Sequence, residues 1–144
     1  MELSIATLCD SASDYGGKLC ILGAFDTIGA PNFPVHHPHC ALALRVVFQA
    51  EDEGHHRLDI RLIDADGKAV LPAVTPEIRV KFPADHDDIF ISRNLVLNFQ
   101  PLSLPGPGFY SFDIKADESL LGRVPLRVVK VKKPQSPPAS SPSE

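Results

Sequence analysis

The sequence predicts an all-β domain, an immunoglobulin-like or related antiparallel β-sandwich of seven to eight strands, and three observations point to it. Apolar residues recur with a period of two in segment after segment, the repeat of a strand with one face buried. Fourteen prolines and nine glycines cut the chain into short pieces, so an apolar period of 3.6 never persists for the roughly ten residues a helix needs. Turn chemistry stands between the pieces, notably Tyr15-Gly16-Gly17-Lys18 and Asp64-Ala65-Asp66-Gly67-Lys68.

Taken in chain order, Leu3 to Cys9 and Lys18 to Ile28 are apolar on both faces, which predicts central strands covered on each side. The connection from Gly29 to Pro38 is long for a compact β domain and apolar; its Pro31, Phe33, Pro34 and Val35 either fold over a sheet edge or present a contact surface. Edge cover is the favoured reading, and these four residues are the candidate interaction loop. From Cys40 to Gln49, residues Cys40, Leu42, Leu44, Val46 and Phe48 share one face, and Ala41, Ala43, Arg45 and Gln49 the other. From His56 to Ile63, Leu58, Ile60 and Leu62 face inward, and Arg57, Asp59 and Arg61 outward. The link Ala50-Glu51-Asp52-Glu53-Gly54 predicts that these two strands form a hairpin, with Arg45 opposite Asp59.

Further along, Ile78, Val80 and Phe82 alternate with Arg79 and Lys81, and Leu95, Leu97 and Phe99 with Asn94 and Asn98. Near the end, Tyr110, Phe112 and Ile114 alternate with Ser111, Asp113 and Lys115, and Val124, Leu126 and Val128 with Arg123 and Arg127. These last two strands are expected to form a hairpin through Asp117-Glu118-Ser119. Tyr110, after Pro105-Gly106-Pro107-Gly108, resembles the tyrosine corner of immunoglobulin-like sandwiches, a structural role. From Lys132 the chain is Pro- and Ser-rich with little to bury, so a domain over residues 1–131 and a disordered tail over 132–144 with polyproline character are expected.

The totals set bounds on function. With 144 residues, 44% of them apolar and 22% charged, the chain fits one soluble globular domain. A net charge of −4 with no basic stripe argues against nucleic-acid binding. With no Trp and two Tyr, stacking platforms for carbohydrate are scarce. No apolar run is long enough to span a bilayer, and the first residues lack a basic leader region, so a cytoplasmic protein with no membrane association is expected. Cys9, Cys20 and Cys40 are odd in number and lie in apolar segments, which suits reduced, buried thiols.

The densest set of metal-ligand types is His36-His37-Pro38-His39-Cys40, and zinc is held by His and Cys in such local groups. The obvious second pair, His55-His56, lies at the other end of a strand of about 30 Å. A polar loop entering a strand is therefore the favoured reading, with His36, His37 and His39 the candidates for a metal. Asp85-His86-Asp87-Asp88 with Asp64 and Asp66 are of the type that binds calcium in some sandwich loops, but turn residues and a solvated loop explain them more simply. Whether the two loops meet depends on whether the chain reverses near Leu71-Pro72-Ala73. His39 and Cys40, being adjacent on a strand, point to opposite faces and cannot form a dyad. No nucleophile elbow, phosphate-binding glycine loop or acid/base carboxylate pair is present. The expectation is a noncatalytic interaction or structural module with no cofactor, meeting a protein partner or a second copy of itself. The alternative is a domain that binds a metal or small ligand.

Three stretches together resemble one family: Leu8-Cys9-Asp10 with Gly17-Lys18-Leu19-Cys20-Ile21-Leu22-Gly23-Ala24-Phe25-Asp26-Thr27-Ile28, then Asp64 to Lys68, then Gly108-Phe109-Tyr110-Ser111-Phe112-Asp113-Ile114. They are similar to a bacterial family of uncharacterised small proteins, a domain of unknown function, over residues 1 to about 131. The resemblance implies a compact cytoplasmic bacterial domain and supplies no catalytic residues.

Overall fold

The computed structural model describes residues 1–85 and 89–132. Among these residues eleven strands run in the order β1 (Glu2–Tyr15), β2 (Lys18–Phe25), β3 (Thr27–Ala30), β4 (Val35–His37), β5 (Cys40–Phe48), β6 (Gly54–Ile63), β7 (Glu77–Val80), β8 (Ile91–Phe99), β9 (Leu102–Leu104), β10 (Gly108–Ala116) and β11 (Ser119–Lys130). They form a β-sandwich. One sheet has the order β2-β1-β5-β8, the facing sheet β3-β11-β10-β6-β7, and a small ribbon pairs β4 with β9. The count exceeds seven to eight because β4 and β9, at three residues each, are too short to show an alternation, and the run read as one strand from Lys18 to Ile28 breaks at Asp26 into β2 and β3.

The inward faces are those the alternation marks. Leu42, Leu44, Ile60, Leu62, Phe112, Ile114, Leu126 and Val128 form one buried cluster between the sheets. Val46, Phe48, Leu58, Ile78, Val80 and Phe82 form a second. Fully burying each such side chain contributes about 1.5–3 kcal/mol. The Tyr15 to Lys18 turn and the β10–β11 hairpin are present, the latter closed by Asp117 and Glu118 alone, with Ser119 already in the strand. Gly16 and Gly17 join Tyr15 to Lys18 with φ of 57° and 81°, and Asp117 and Glu118 join Ala116 to Ser119 with φ of 47° and 73°. Positive φ at both central residues matches the right-handed twist of the flanking strands.

The β5–β6 hairpin is not formed. β5 lies between β1 and β8 in the first sheet, while β6 lies between β10 and β7 in the second. Residues Ala50–Asp52 form a 3-10 turn, with the Asp52 carboxylate accepting the Gln49 N–H at 2.9 Å, and carry the chain across the sandwich. The physical reason is burial: side by side, Leu42 and Leu44 would share one face with Ile60 and Leu62, whereas opposed across the interior each set covers the other. Arg45 therefore sits across from Ile5 and Asn94, not Asp59, and Asp59 is held by Arg61 at 2.7 Å.

A second correction concerns β2. It is an edge strand, mostly exposed, where the sequence pointed to a central strand covered on both faces. Cys20 on it is exposed, and only Cys9 and Cys40 are buried. Burial pushes the Cys40 thiol up to about 11. Among the described residues no helix is long and apolar enough to cross a membrane.

Candidate functional site

The most distinctive surface is the end of the β1–β2 hairpin. The first half of β1 pairs with β5, from Glu2 opposite Val47 to Cys9 opposite Ala41. Beyond Cys9 the strand pairs only with β2, and the ladder omits Asp10 and Gly23, where Gly23 takes φ 67°. The backbone conformation favours glycine here, and a Cβ on Gly23 would stand 2.5 Å from the Asp10 carboxylate, displacing it.

From this kink the hairpin folds back over the outer face of its own sheet. The Arg45 guanidinium donates to the Gly17 carbonyl at 2.9 Å and to Asn94 Oδ1 at 2.7 Å. Asn94 Nδ2 donates to Asp14 Oδ2 at 3.0 Å and to the Gly17 carbonyl at 3.1 Å. Beneath the arm lies a floor of small residues, Cys9, Ala41 and Ala43, all fully buried, with Ala12, Leu19 and Val96 packed against them. Alanine side chains on β5 are what let a second layer come this close.

The other side of the arm is left apolar and exposed. Tyr15 and Leu22 on it are 75% and 70% accessible. The outer edge of β2 pairs with no strand among the described residues. Natural edges are usually blunted by charge, proline or cover. Between Lys18 and Asp26 this one has none of these.

The residues singled out from the sequence lie elsewhere. Phe33 and Val35 are half-buried and pack on the main core cluster, Pro31 is half-buried, and Pro34 is exposed. The loop thus covers the core where the β4–β9 ribbon closes it. His36 Nδ1 meets Ser103 Oγ at 2.8 Å, His37 lies 5.6 Å from the ring of Phe25, and His39 Nδ1 accepts from Gln100 Nε2 at 2.9 Å. The structure does not bring the three together, and among the described residues no three His, Cys, Asp or Glu side chains are placed to hold a metal ion. Tyr110 donates its hydroxyl to the Gly106 carbonyl at 2.6 Å. Asp64 caps its own turn through the N–H groups of Asp66 and Lys68. The chain then runs back along β6, from Ala69 opposite Ile63 to Val80 opposite Gly54, with no second reversal, so Asp85 lies at the far end. His86, Asp87 and Asp88 fall outside the described residues.

Two polar features carry less. The outer face of the second sheet has a groove of about 430 Å³ lined by Arg57, Asp59, Arg61, Lys115, Asp117 and Glu118. Its charges oppose one another across strands, Asp59 with Lys115 and Arg61 with Asp113, so the face neutralises itself. Near Asp10 an open cleft of about 340 Å³ is lined by Asp10, Gly23, Phe25, Thr27, Gly29 and His37.

One histidine that the sequence left unassigned is tied in at both ring nitrogens. His56 Nε2 faces the Asp52 carbonyl, and Nδ1 faces Asp117 Oδ2 at 2.7 Å. Both partners are acceptors, so the geometry favours the charged ring, in which both nitrogens donate. The bond to the Asp52 carbonyl and then that to Asp117 hold its pKa above the ordinary range, while the His56 bond lowers that of Asp117.

No curated protein and no solved structure matches the chain. The model of a family of unknown function, DUF6941, matches residues 4–129, a span that takes in the arm, the kink and both sheets. The chain belongs to that family.

Proposed function

We propose that this domain is a noncatalytic protein-interaction module whose contact surface is the folded-back β1–β2 arm. The observation that carries the reading is an apolar face and an open strand edge held on a fixed platform. Tyr15 and Leu22 are exposed, yet the tip that presents them is fastened to the sheet by Arg45 and Asn94. A surface ordered before binding loses little conformational entropy on association, and an open edge offers main-chain hydrogen bonds to an incoming strand. The Tyr110 bond to Gly106 supports an immunoglobulin-like assignment for the sandwich. Three unpaired thiols suit a reducing, cytoplasmic setting in a bacterium.

The test compares tagged wild-type protein with the double variant Tyr15→Ser, Leu22→Asp in pull-downs from host cells. Both side chains are mostly in solvent, so circular dichroism and thermal unfolding should match. A specific protein recovered by the wild type and lost with the variant supports the reading. Equal recovery by both, or neither a foreign protein nor a second copy for either, overturns it.

A small-ligand reading is favoured by one observation, the cleft in which Asp10, Thr27 and His37 converge beside the Phe25 ring. A thermal-shift screen of small cationic and polar compounds, repeated with Asp10→Asn, would separate the two. Stabilisation that disappears in the variant supports a ligand site, and a flat screen removes it.

A further inference from the structure

We infer that the free edge of β2 pairs antiparallel with the same edge of a second copy of this chain, with Cys20 on the two-fold axis. The inference rests on the interaction reading above and names one occupant for that surface.

The hydrogen-bonding parity of the arm sets the geometry. In a hairpin closed by a two-residue turn, the residues flanking the turn form a hydrogen-bonded pair, here Tyr15 and Lys18. Pairs then alternate, so Lys18, Cys20 and Leu22 turn their N–H and C=O groups toward β1, and Leu19 and Ile21 turn theirs toward the open edge. The straight part of the edge is bounded by the turn at one end and by the Gly23 kink at the other. It is the segment Lys18–Leu22, and its midpoint is Cys20.

Two copies related by a two-fold axis must place edge-facing residues opposite edge-facing residues. The longest register within the straight segment opposes Leu19 with Ile21 twice, giving four backbone hydrogen bonds. Lys18 then opposes Leu22, and Cys20 opposes Cys20 as a non-hydrogen-bonded pair, with Cα atoms about 4.5 Å apart.

Charge points to a second copy as the occupant. The segment carries a single charge, Lys18, at one end, so in the antiparallel arrangement no like charges meet. Each Lys18 instead stands opposite Leu22 of the other copy, one residue short of Gly23, against which the Asp10 carboxylate lies. The exposed Leu22 side chain is covered by the aliphatic stem of that lysine. A five-residue ladder lies below the usual size of a stable interface, so the dimer is weak and concentration-dependent.

The experiment is disulfide trapping of the full chain at high concentration with diamide, which takes up the two electrons and two protons released as two Cys20 thiols join. Non-reducing gels and intact mass should show a dimer that is absent in Cys20→Ser. Cys9 and Cys40 are buried and serve as internal controls. In the Cys20→Ser background, Leu22→Cys puts an exposed thiol off the axis, and it should cross-link at least tenfold more slowly. A rate as high as that of Cys20, or no Cys20 dimer, overturns the inference.

A measurement free of thiol chemistry is sedimentation velocity of Ile21→Pro. Its lost N–H faces the open edge, so the β1 ladder survives and the concentration-dependent dimer should disappear; a dimer that persists overturns the pairing. If the wild type is a monomer while the arm variant still loses a heterologous partner, self-pairing fails and the interaction reading stands. If Cys20 traps a dimer and no heterologous partner is found, self-pairing stands alone.

Discussion

The sheet β2-β1-β5-β8 is covered on both faces, by different means. Its inner face sets Leu8, Leu42, Leu44, Leu95 and Leu97 against the second sheet, large side chains interlocking across a wide interior. Its outer face sets Cys9, Ala41, Ala43 and Val96 against Ala12 and Leu19 of the arm, small side chains under a thin layer. The inner contact is held by apolar area. The outer one has little area and is fastened at its end by polar bonds from Arg45 and Asn94. Large burial holds a core shut, whereas a few hydrogen bonds of about 0.5–1.5 kcal/mol each hold a layer in place without making it inseparable.

That difference can be broken from either side. Truncating the core should have the largest effect: Leu44→Ala or Phe112→Ala is expected to cost about 3–5 kcal/mol, read as a loss of denaturant midpoint with a cooperative transition retained. Filling the floor comes next. Ala43→Leu should cost about 1–3 kcal/mol, and hydrogen exchange should accelerate in residues 11–22 before it changes in β6 or β10. Unfastening the tip is smaller still: Arg45→Ala should cost about 1–2 kcal/mol and raise exchange in the arm alone. Equal exchange changes in arm and core would show that the two layers are one cooperative unit.

A pH series sharpens the contrast where the chain crosses from β5 to β6, beside Phe48. The folded pKa of His56 is raised, so its contribution is fully present below the unfolded value of about 6.5 and is lost as pH rises through the folded value. His56→Gln should therefore lose most relative to wild type near pH 6 and least near pH 9 in thermal unfolding. The lowered Asp117 carboxyl works the other way, its contribution vanishing as pH falls through its folded value. The smallest effect belongs to Leu22→Ala, expected within about 0.5 kcal/mol because the side chain is solvated. A larger loss in dilute solution would mean that the outer side of the arm is covered.

Alternation made the inward faces of β5, β6, β7, β8, β10 and β11 legible, and the turns at Gly16-Gly17 and Asp117-Glu118 were readable from residue type. Partner choice beyond those two hairpins was not. Leu42 and Ile60 announce that each points inward, but a period of two says nothing about whether their strands lie side by side or face to face. The arm was hidden because β2 is apolar on both sides, as a central strand would be, while being exposed. Two weaker signals stood beside it: Gly23 in the middle of an apolar run, which marks a kink in a strand, and Ala41 and Ala43 on the outward side of β5, too small for an ordinary solvent face. The histidine group was conspicuous in sequence, yet its side chains diverge because β4 sends neighbours to opposite faces.

The parallel pairing of β3 with β11 bears on how the chain is made. Thr27 to Ala30 align with Arg127 to Lys130, and the Arg127 N–H donates to the Asp26 carbonyl at 2.7 Å. A strand from the first quarter of the chain waits for the last one. During synthesis at about 5–20 residues per second, β3 has no sheet to join for several seconds, and the apolar face of Ile28 and Ala30 remains uncovered for the same interval. A nascent chain stalled before β11 should therefore be the form most in need of a chaperone, and release of the final strand the event that ends that need.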